Sequence, residues 1–390
     1  MSDGVGRIGR RLDRLGVVIA ALIAVTTWAL PFATFRPNRI VSGRGLNLVH
    51  ALEPVAVTLG LAVFAAVALL ALGRSRPALR LGAAGIGLAV LCLLIGQVPA
   101  HVVPAGNALA RVAPASGFWL LFLAFAIMAA DAIARLSLGP LARVAILGIG
   151  VAAGLALLAS GAWNGLSIMR EFANNADGFW REGGTHVALA LGSLAAAIAV
   201  GLPLGIACHR SATLSRLTLP VLNIVQTVPS IAMYGLMMVP LGLLAANVPL
   251  AAALGIRGIG PAPAVIALFL YSLLPVVANV ALGLAQVPAT VVEAANGMGM
   301  TRTQRLFQVE LPLALPLVLT GIRIVLVQNI GLVTIAALIG GGGFGTFVFQ
   351  GLGQSATDLV LLGAVPTIAL AFAAAILLDA AVDLAKGQHA

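Results

Sequence analysis

The 390-residue chain is poor in charge, in lysine and in cysteine. Asp, Glu, Lys and Arg make up only 9% of it, against roughly 25% in a soluble globular domain. A water-soluble fold of this length could not cover its surface with so few charges. Its 61% hydrophobic content excludes intrinsic disorder too. Cys92 and Cys208, the two cysteines, both sit inside apolar runs, so neither a disulfide framework nor a cysteine zinc site is expected. The five histidines (His50, His101, His186, His209, His389) form no HExxH pair and no cluster, which argues against a metal centre. The single lysine, Lys386, stands in Lys386-Gly-Gln. A P-loop needs Gly-Lys-Ser/Thr to cradle phosphates, so the chain carries none and no ATP-binding cofactor site of that kind.

What is present is hydrophobicity in long runs. A helix rising 1.5 Å per residue needs about 20 apolar residues to cross about 30 Å of hydrocarbon. About ten such runs fall near 15–34, 54–72, 81–99, 116–134, 143–162, 185–207, 217–246, 263–284, 312–338 and 358–382. The first is too long for a removable signal peptide and lacks a small-residue cleavage site. Pro220, Pro229 and Pro240 interrupt 217–246, which reads either as one span or as two half-helices. The expected fold class is all-α: a polytopic membrane protein of about ten transmembrane helices.

The net charge of +10 could suggest a nucleic-acid partner. However, the basic residues are scattered in ones to fours rather than massed on a patch, so none is expected. With ten spans and a cytoplasmic N-terminus, 14 basic residues fall on the cytoplasmic side and seven on the other, leaving Arg323 within a span. That bias follows the positive-inside rule and puts both termini in the cytoplasm. Asp131 and Asp379 then lie near cytoplasmic span ends and read as solvated termini. The most polar external loop is 163–184, and the chain divides near 170.

One cytoplasmic segment, 286–312, differs from the rest. Pro288 suits a first helical turn, and Gly297 or Gly299 stops the helix. Thr301 with Gln304 then forms a capping-box pattern for a second surface helix running into Pro312. Met298, Met300 and Phe307 offer an adaptable apolar docking surface.

Within this segment Glu293-Ala294-Ala295, then Gly299, then Val309, Leu311 and Pro312 stand at the spacing of the EAA signature. The chain here resembles the permeases of binding-protein-dependent ABC transporters, with Val309 in place of Ile. Asn296 departs from the pattern, since relatives often carry a basic residue there. The resemblance covers roughly 175–390. It implies an N-terminal set of extra spans over 1–170 and a type I importer permease core over 171–390. It also implies that Glu293, Ala294, Ala295, Gly299, Phe307, Leu311 and Pro312 couple the chain to a separate ATP-binding subunit, which holds ATP-Mg. The other partners so implied are a second permease copy or paralogue and a periplasmic or extracellular solute-binding protein, at the inner (plasma) membrane. The stretches around Ile224-Val225-Gln226-Thr227 and Thr334 to Gly345 look like the osmoprotectant branch, whose substrates include glycine betaine, choline and carnitine.

Asn223, Thr227, Ser230 and Tyr234 recur at spacings of four, three and four, which puts four polar groups on one helical face. They line a substrate path or bond to another helix, and Tyr271, Asn279, Gln328 and Asn329 invite the same two readings. Gly340, Gly342 and Gly345 spell GxGxxG, but they follow no strand. Close helix approach or a bent, re-entrant backbone is the expectation there. An ion-gradient-driven carrier is the alternative to an ATP-driven importer. It would need ionisable groups near the bilayer midplane.

Overall fold

The computed structural model describes residues 13–38, 41–104, 106–107 and 109–387. Arg7, Arg10, Arg11, Arg39 and His389, used above in the charge and histidine readings, lie outside the described residues. Two compact units divide the chain, 1–174 and 175–390.

In the first unit the long helices are α1 (Arg14–Ala29), α3 (Pro54–Leu72), α4 (Pro77–Val102), α5 (Ser116–Leu136) and α6 (Pro140–Ala159), with a short α2 (Leu48–Ala51) before α3. Proline opens α3, α4 and α6, where its missing N–H costs nothing. At 16 residues α1 reaches about 24 Å, short of a full crossing, so nine helices rather than ten are long and apolar enough to span among the described residues. Ile19, Ile23, Phe64, Leu91, Leu121 and Phe125 form the core of this unit. Small residues let the backbones close up: a Cβ on Gly16 would lie 1.8 Å from the Ala71 carbonyl oxygen.

Two features were not foreseen. One is a small antiparallel sheet of β1 (Ala33–Arg36), β2 (Arg44–Leu46) and β3 (Arg111–Pro114), in the order β2-β1-β3, with Ala33 opposite both Leu46 and Pro114. Strands of three and four residues are too short to show a period of two. The other is a buried charge cluster that corrects the reading of Asp131 as solvated. Arg80 is fully buried, 2.6 Å from Asp13 and 3.3 Å from Asp131, and Arg135 bonds the same two carboxylates at 2.8 and 2.9 Å. The cluster ties the start of α1 to α4 and to the end of α5. Asp13 is partly buried, which raises its pKa, but hydrogen bonds from Arg135 and Arg80 outweigh this and hold the carboxyl below its ordinary value.

The stretch 163–184 is largely helical instead of a loop. It contains α7 (Ser167–Asn174) and the start of α8 (Ala176–Arg210). Its polar residues recur at helical rather than loop spacing, and α7 is pinned to the sheet by Ser167 Oγ donating to the Val112 carbonyl at 2.9 Å.

The second unit continues α8 with α9 (Ala212–Thr227), α10 (Ser230–Asn247), α11 (Pro249–Ala253) and α12 (Pro261–Ala285). The run 217–246 is therefore two helices, broken at Val228 and Pro229. After the 286–312 segment come α15 (Leu311–Ala336), α16 (Gly345–Gly353) and α17 (Thr357–Gly387), where α13 and α14 are the two short helices described below. Helices α8, α12 and α15 pack around Leu194, Ala197, Val276, Val280, Ala314 and Val325. A Cβ on Gly205 would lie 2.6 Å from Val280 Cβ, so α8 and α12 approach at glycine distance.

Candidate functional site: the 286–312 segment and its supports

Helix α13 (Ala289–Gly297) carries Glu293, Ala294 and Ala295. Its end is a complete Schellman turn. The N–H of Met300 donates to Ala295 O (3.2 Å) and that of Gly299 to Asn296 O (3.0 Å), with Gly299 at φ +78°. Gly299, not Gly297, is thus the left-handed stop. Thr301 then caps α14 (Arg302–Arg305) with the full capping box, its Oγ1 accepting from the Gln304 N–H at 3.3 Å while Gln304 Oε1 accepts from the Thr301 N–H at 2.9 Å.

The second helix is not a free surface element. It passes through a π turn (Leu306–Glu310) directly into α15, so that 302–339 is one continuous helical rod. Pro312, with no N–H to donate, follows the turn at once. Arg305 fastens the two arms together: Nη1 donates to Asn296 Oδ1 (2.8 Å) and Nε to Glu310 Oε1 (2.5 Å). Asn296, the departure from the family pattern, is therefore used to hold the loop closed.

Exposure divides the segment into an anchored side and an offered side. Ala295, Leu306 and Glu310 are buried, Leu311 and Pro312 half-buried, and Glu293 and Ala294 exposed. Met298 is 71% and Phe307 57% exposed, and Met300 is half-buried. Glu293, Arg305 and Glu310 line a cavity of about 320 Å³ together with His209 from the end of α8. The π turn, the Arg305 clasp and His209 had no signal in the sequence beyond their residue types.

The structure breaks the helical face expected for Asn223, Thr227, Ser230 and Tyr234. Asn223 and Thr227 are exposed on α9, whereas Ser230 opens α10 and Tyr234 is buried, its hydroxyl donating to the Leu332 carbonyl at 3.0 Å. The joint is stitched by Tyr271, whose hydroxyl donates to Val228 O (2.5 Å) and whose carbonyl accepts from Gln226 Nε2 (2.8 Å). Asn329 is fully buried and bridges three helices, its Nδ2 donating to Ser193 Oγ (2.9 Å) and Ser272 Oγ (3.0 Å). Gln328 is half-buried. Asn279 packs on Gly321 and bonds within its own helix to Pro275 O.

The glycine-rich turn is held by α8. Glu182 Oε2 accepts from the Gly343 N–H at 2.7 Å. His186 Nδ1 accepts from the Phe344 N–H at 3.2 Å, which leaves its Nε2–H to donate to Ile330 O at 3.0 Å. Gly340, Gly342 and Gly343 all adopt positive φ, and a Cβ on Gly345 would lie 1.9 Å from Thr334 O. The backbone here is bent and closely packed, and needs glycine for both reasons. Only the i, i+4 spacing of Glu182 and His186 hinted at a shared face. Asp379, read as a solvated terminus, is partly exposed and is paired with Arg323 of α15.

Comparison with known proteins decides what this architecture belongs to. The profile described as binding-protein-dependent transport system inner membrane component matches residues 197–385, and that of the N-terminal domain of ABC transporter permease YehY matches 13–169. The chain is 43% identical to the osmoprotectant import permease protein OsmW of Salmonella typhimurium, over 47% of this chain and 80% of that one. The chain belongs to the binding-protein-dependent transport permeases. It is 37% identical to the glycine betaine/carnitine/choline transport system permease protein OpuCB of Bacillus subtilis, over 48% of this chain and 79% of that one. Among solved structures it is similar to an inward-facing MetNI methionine ABC transporter (23% identity, TM-score 0.44, 54% of this chain and 95% of that chain). As a permease it is a multi-pass inner-membrane transport subunit, and the ion-gradient-driven carrier is set aside.

Proposed function

We propose that the chain is the membrane subunit of an ATP-driven importer for a compatible solute of the glycine betaine, choline or carnitine type. The class follows the names of the relatives it matches. In this reading 286–312 is the coupling segment, on the cytoplasmic side with both termini. It docks on a separate ATP-binding subunit that carries ATP-Mg, and a second permease copy or paralogue completes the pathway. A solute-binding protein delivers the substrate to the opposite face, where the polar beginning of α8 (exposed Asp177 and Arg181) offers a landing place.

The observation that carries this is the construction of the segment itself. Both arms are capped, the Arg305–Asn296 hydrogen bond clasps them, and the second arm is continuous with a spanning rod, so a push on the exposed tip reaches α15 without a soft joint. Exposed Met298 and Phe307 supply the apolar contact. Two ATPase subunits closing on ATP would draw two such tips together and swing the pathway from inward- to outward-facing.

The test is a double change, Met298→Glu with Phe307→Glu. Both side chains are exposed, so insertion and helical content should persist while the ATPase no longer co-purifies and uptake stops. Unchanged co-purification and uptake would show that this tip is not the docking surface.

A further inference from the structure

Arg323 and Asp379 are charged, lie within spanning helices, and have no part in the coupling segment. Arg323 stands twelve residues, or about 18 Å, beyond Leu311 in α15, and Asp379 eight residues, or about 12 Å, before Gly387 in α17. Both counts start from the same end of the unit, because Lys386 lines a cavity with Gln286, Pro288 and Leu313. Arg323 Nη1 donates to Asp379 Oδ1. The two side chains are nonetheless 34% and 37% exposed, in a region where Ile324, Phe372 and Leu377 also show outward. Hydrocarbon would solvate that third of each charge badly, and intramembrane charges therefore face water-filled paths or protein.

We propose that the Arg323/Asp379 pair faces the aqueous route through the permease core and is a weak transit site for a zwitterionic solute, an inference that rests on the importer reading above. The solute's carboxylate takes the place of Asp379 on Arg323 while its cationic head turns to Asp379. A neutral pair and a neutral zwitterion exchange partners with every charge compensated throughout. A pure cation can satisfy Asp379 only by leaving Arg323 unpaired, and an uncompensated charge in a low-dielectric site is costly. The site therefore favours betaine-like zwitterions over choline-like cations. It needs no aromatic cage, and both charges are returned to each other once the solute has passed.

The experiment uses the complete transporter, with its ATPase and binding protein, in proteoliposomes, with Cys92→Ala and Cys208→Ala as background. Glycine betaine and choline are the probes. Arg323→Gln should lower the ratio of betaine to choline uptake at least tenfold. Arg323→Cys should react with a water-soluble cationic thiosulfonate, and excess glycine betaine should slow that reaction several-fold. The exchange Arg323→Asp with Asp379→Arg restores a pair and guards against a folding defect. Because the swapped pair is again neutral, it should recover assembly, basal ATP hydrolysis and most of the betaine preference.

An unchanged ratio in Arg323→Gln, a thiol that is unreactive or unprotected, or an exchanged variant that assembles and hydrolyses ATP yet keeps the low ratio of Arg323→Gln would each overturn the proposal. A wild-type transporter that carries neither probe would count against the importer reading instead, and thiol access at position 323 would then judge the aqueous route alone.

Discussion

Gly299 offers a test in which backbone strain is the only variable. It sits at φ +78° at the end of α13, and a Cβ built there meets nothing within 4 Å. Substitution therefore introduces no clash, and its whole effect is the left-handed backbone that L side chains adopt reluctantly. That cost is about 1–2 kcal/mol for an ordinary residue, less for Asn, and greater for a β-branched one. A penalty of that size lowers the population of the closed turn roughly 5- to 30-fold. The turn fixes where Met298 points relative to α14, so a looser turn should blunt transmission while leaving the spans intact. The series Gly299→Asn, Gly299→Ala, Gly299→Val should show solute transported per ATP falling in that order, with melting of the detergent-solubilised chain little changed. Equal coupling in all three, or a Val variant no worse than the Asn variant, would refute the reasoning.

The charge cluster of the first unit makes two further predictions. Arg80→Met leaves Asp13 and Asp131 facing each other with only the partly exposed Arg135 between them. It should cost about 3–5 kcal/mol by thermal or denaturant unfolding, most of it recovered when Asp13→Asn and Asp131→Asn are added, and an Arg80→Met variant as stable as the parent would contradict the cluster. The folded-state pKa of Asp13 lies below its ordinary 3.8, so its contribution is present above 3.8 and is lost as the pH falls through the lower folded value. The melting temperature should drop across that acid window in the parent and less so in Asp13→Asn; parallel pH curves would remove Asp13 from the account.

Much of this was legible in the sequence because the bilayer is a strict reader. Apolar runs of fixed length place the spans, although α4 and α6 begin at Pro77 and Pro140, a few residues before the runs near 81 and 143. The Thr301 and Gln304 capping box was legible for a local reason, being complete within four residues. What escaped depended on contacts between distant segments. Arg80 looked like one of many scattered arginines until α1, α4 and α5 brought Asp13 and Asp131 to it. The three short strands carry no period, and the polar composition of 163–184 suggested a loop where it is largely helical. The single face drawn through Asn223, Thr227, Ser230 and Tyr234 assumed a helix that Pro229 interrupts. Within the coupling segment, residue types and spacing were readable, but the π turn that fuses it to α15 was not.

The stitched joint between α9 and α10 has a practical use. The chain has only two tyrosines, and both belong to the apolar cluster around that joint, with Met233, Ala264, Ala267 and Ala336. Each has its hydroxyl committed to a main-chain carbonyl, Tyr271 at Val228 in the break after α9 and Tyr234 at Leu332 on α15. Fluorotyrosine incorporated biosynthetically would therefore yield two resonances without any substitution, one reading the elbow and the other the rod it leans on. Whether the elbow flexes with nucleotide or stays rigid while its neighbours slide could be followed in the unaltered transporter.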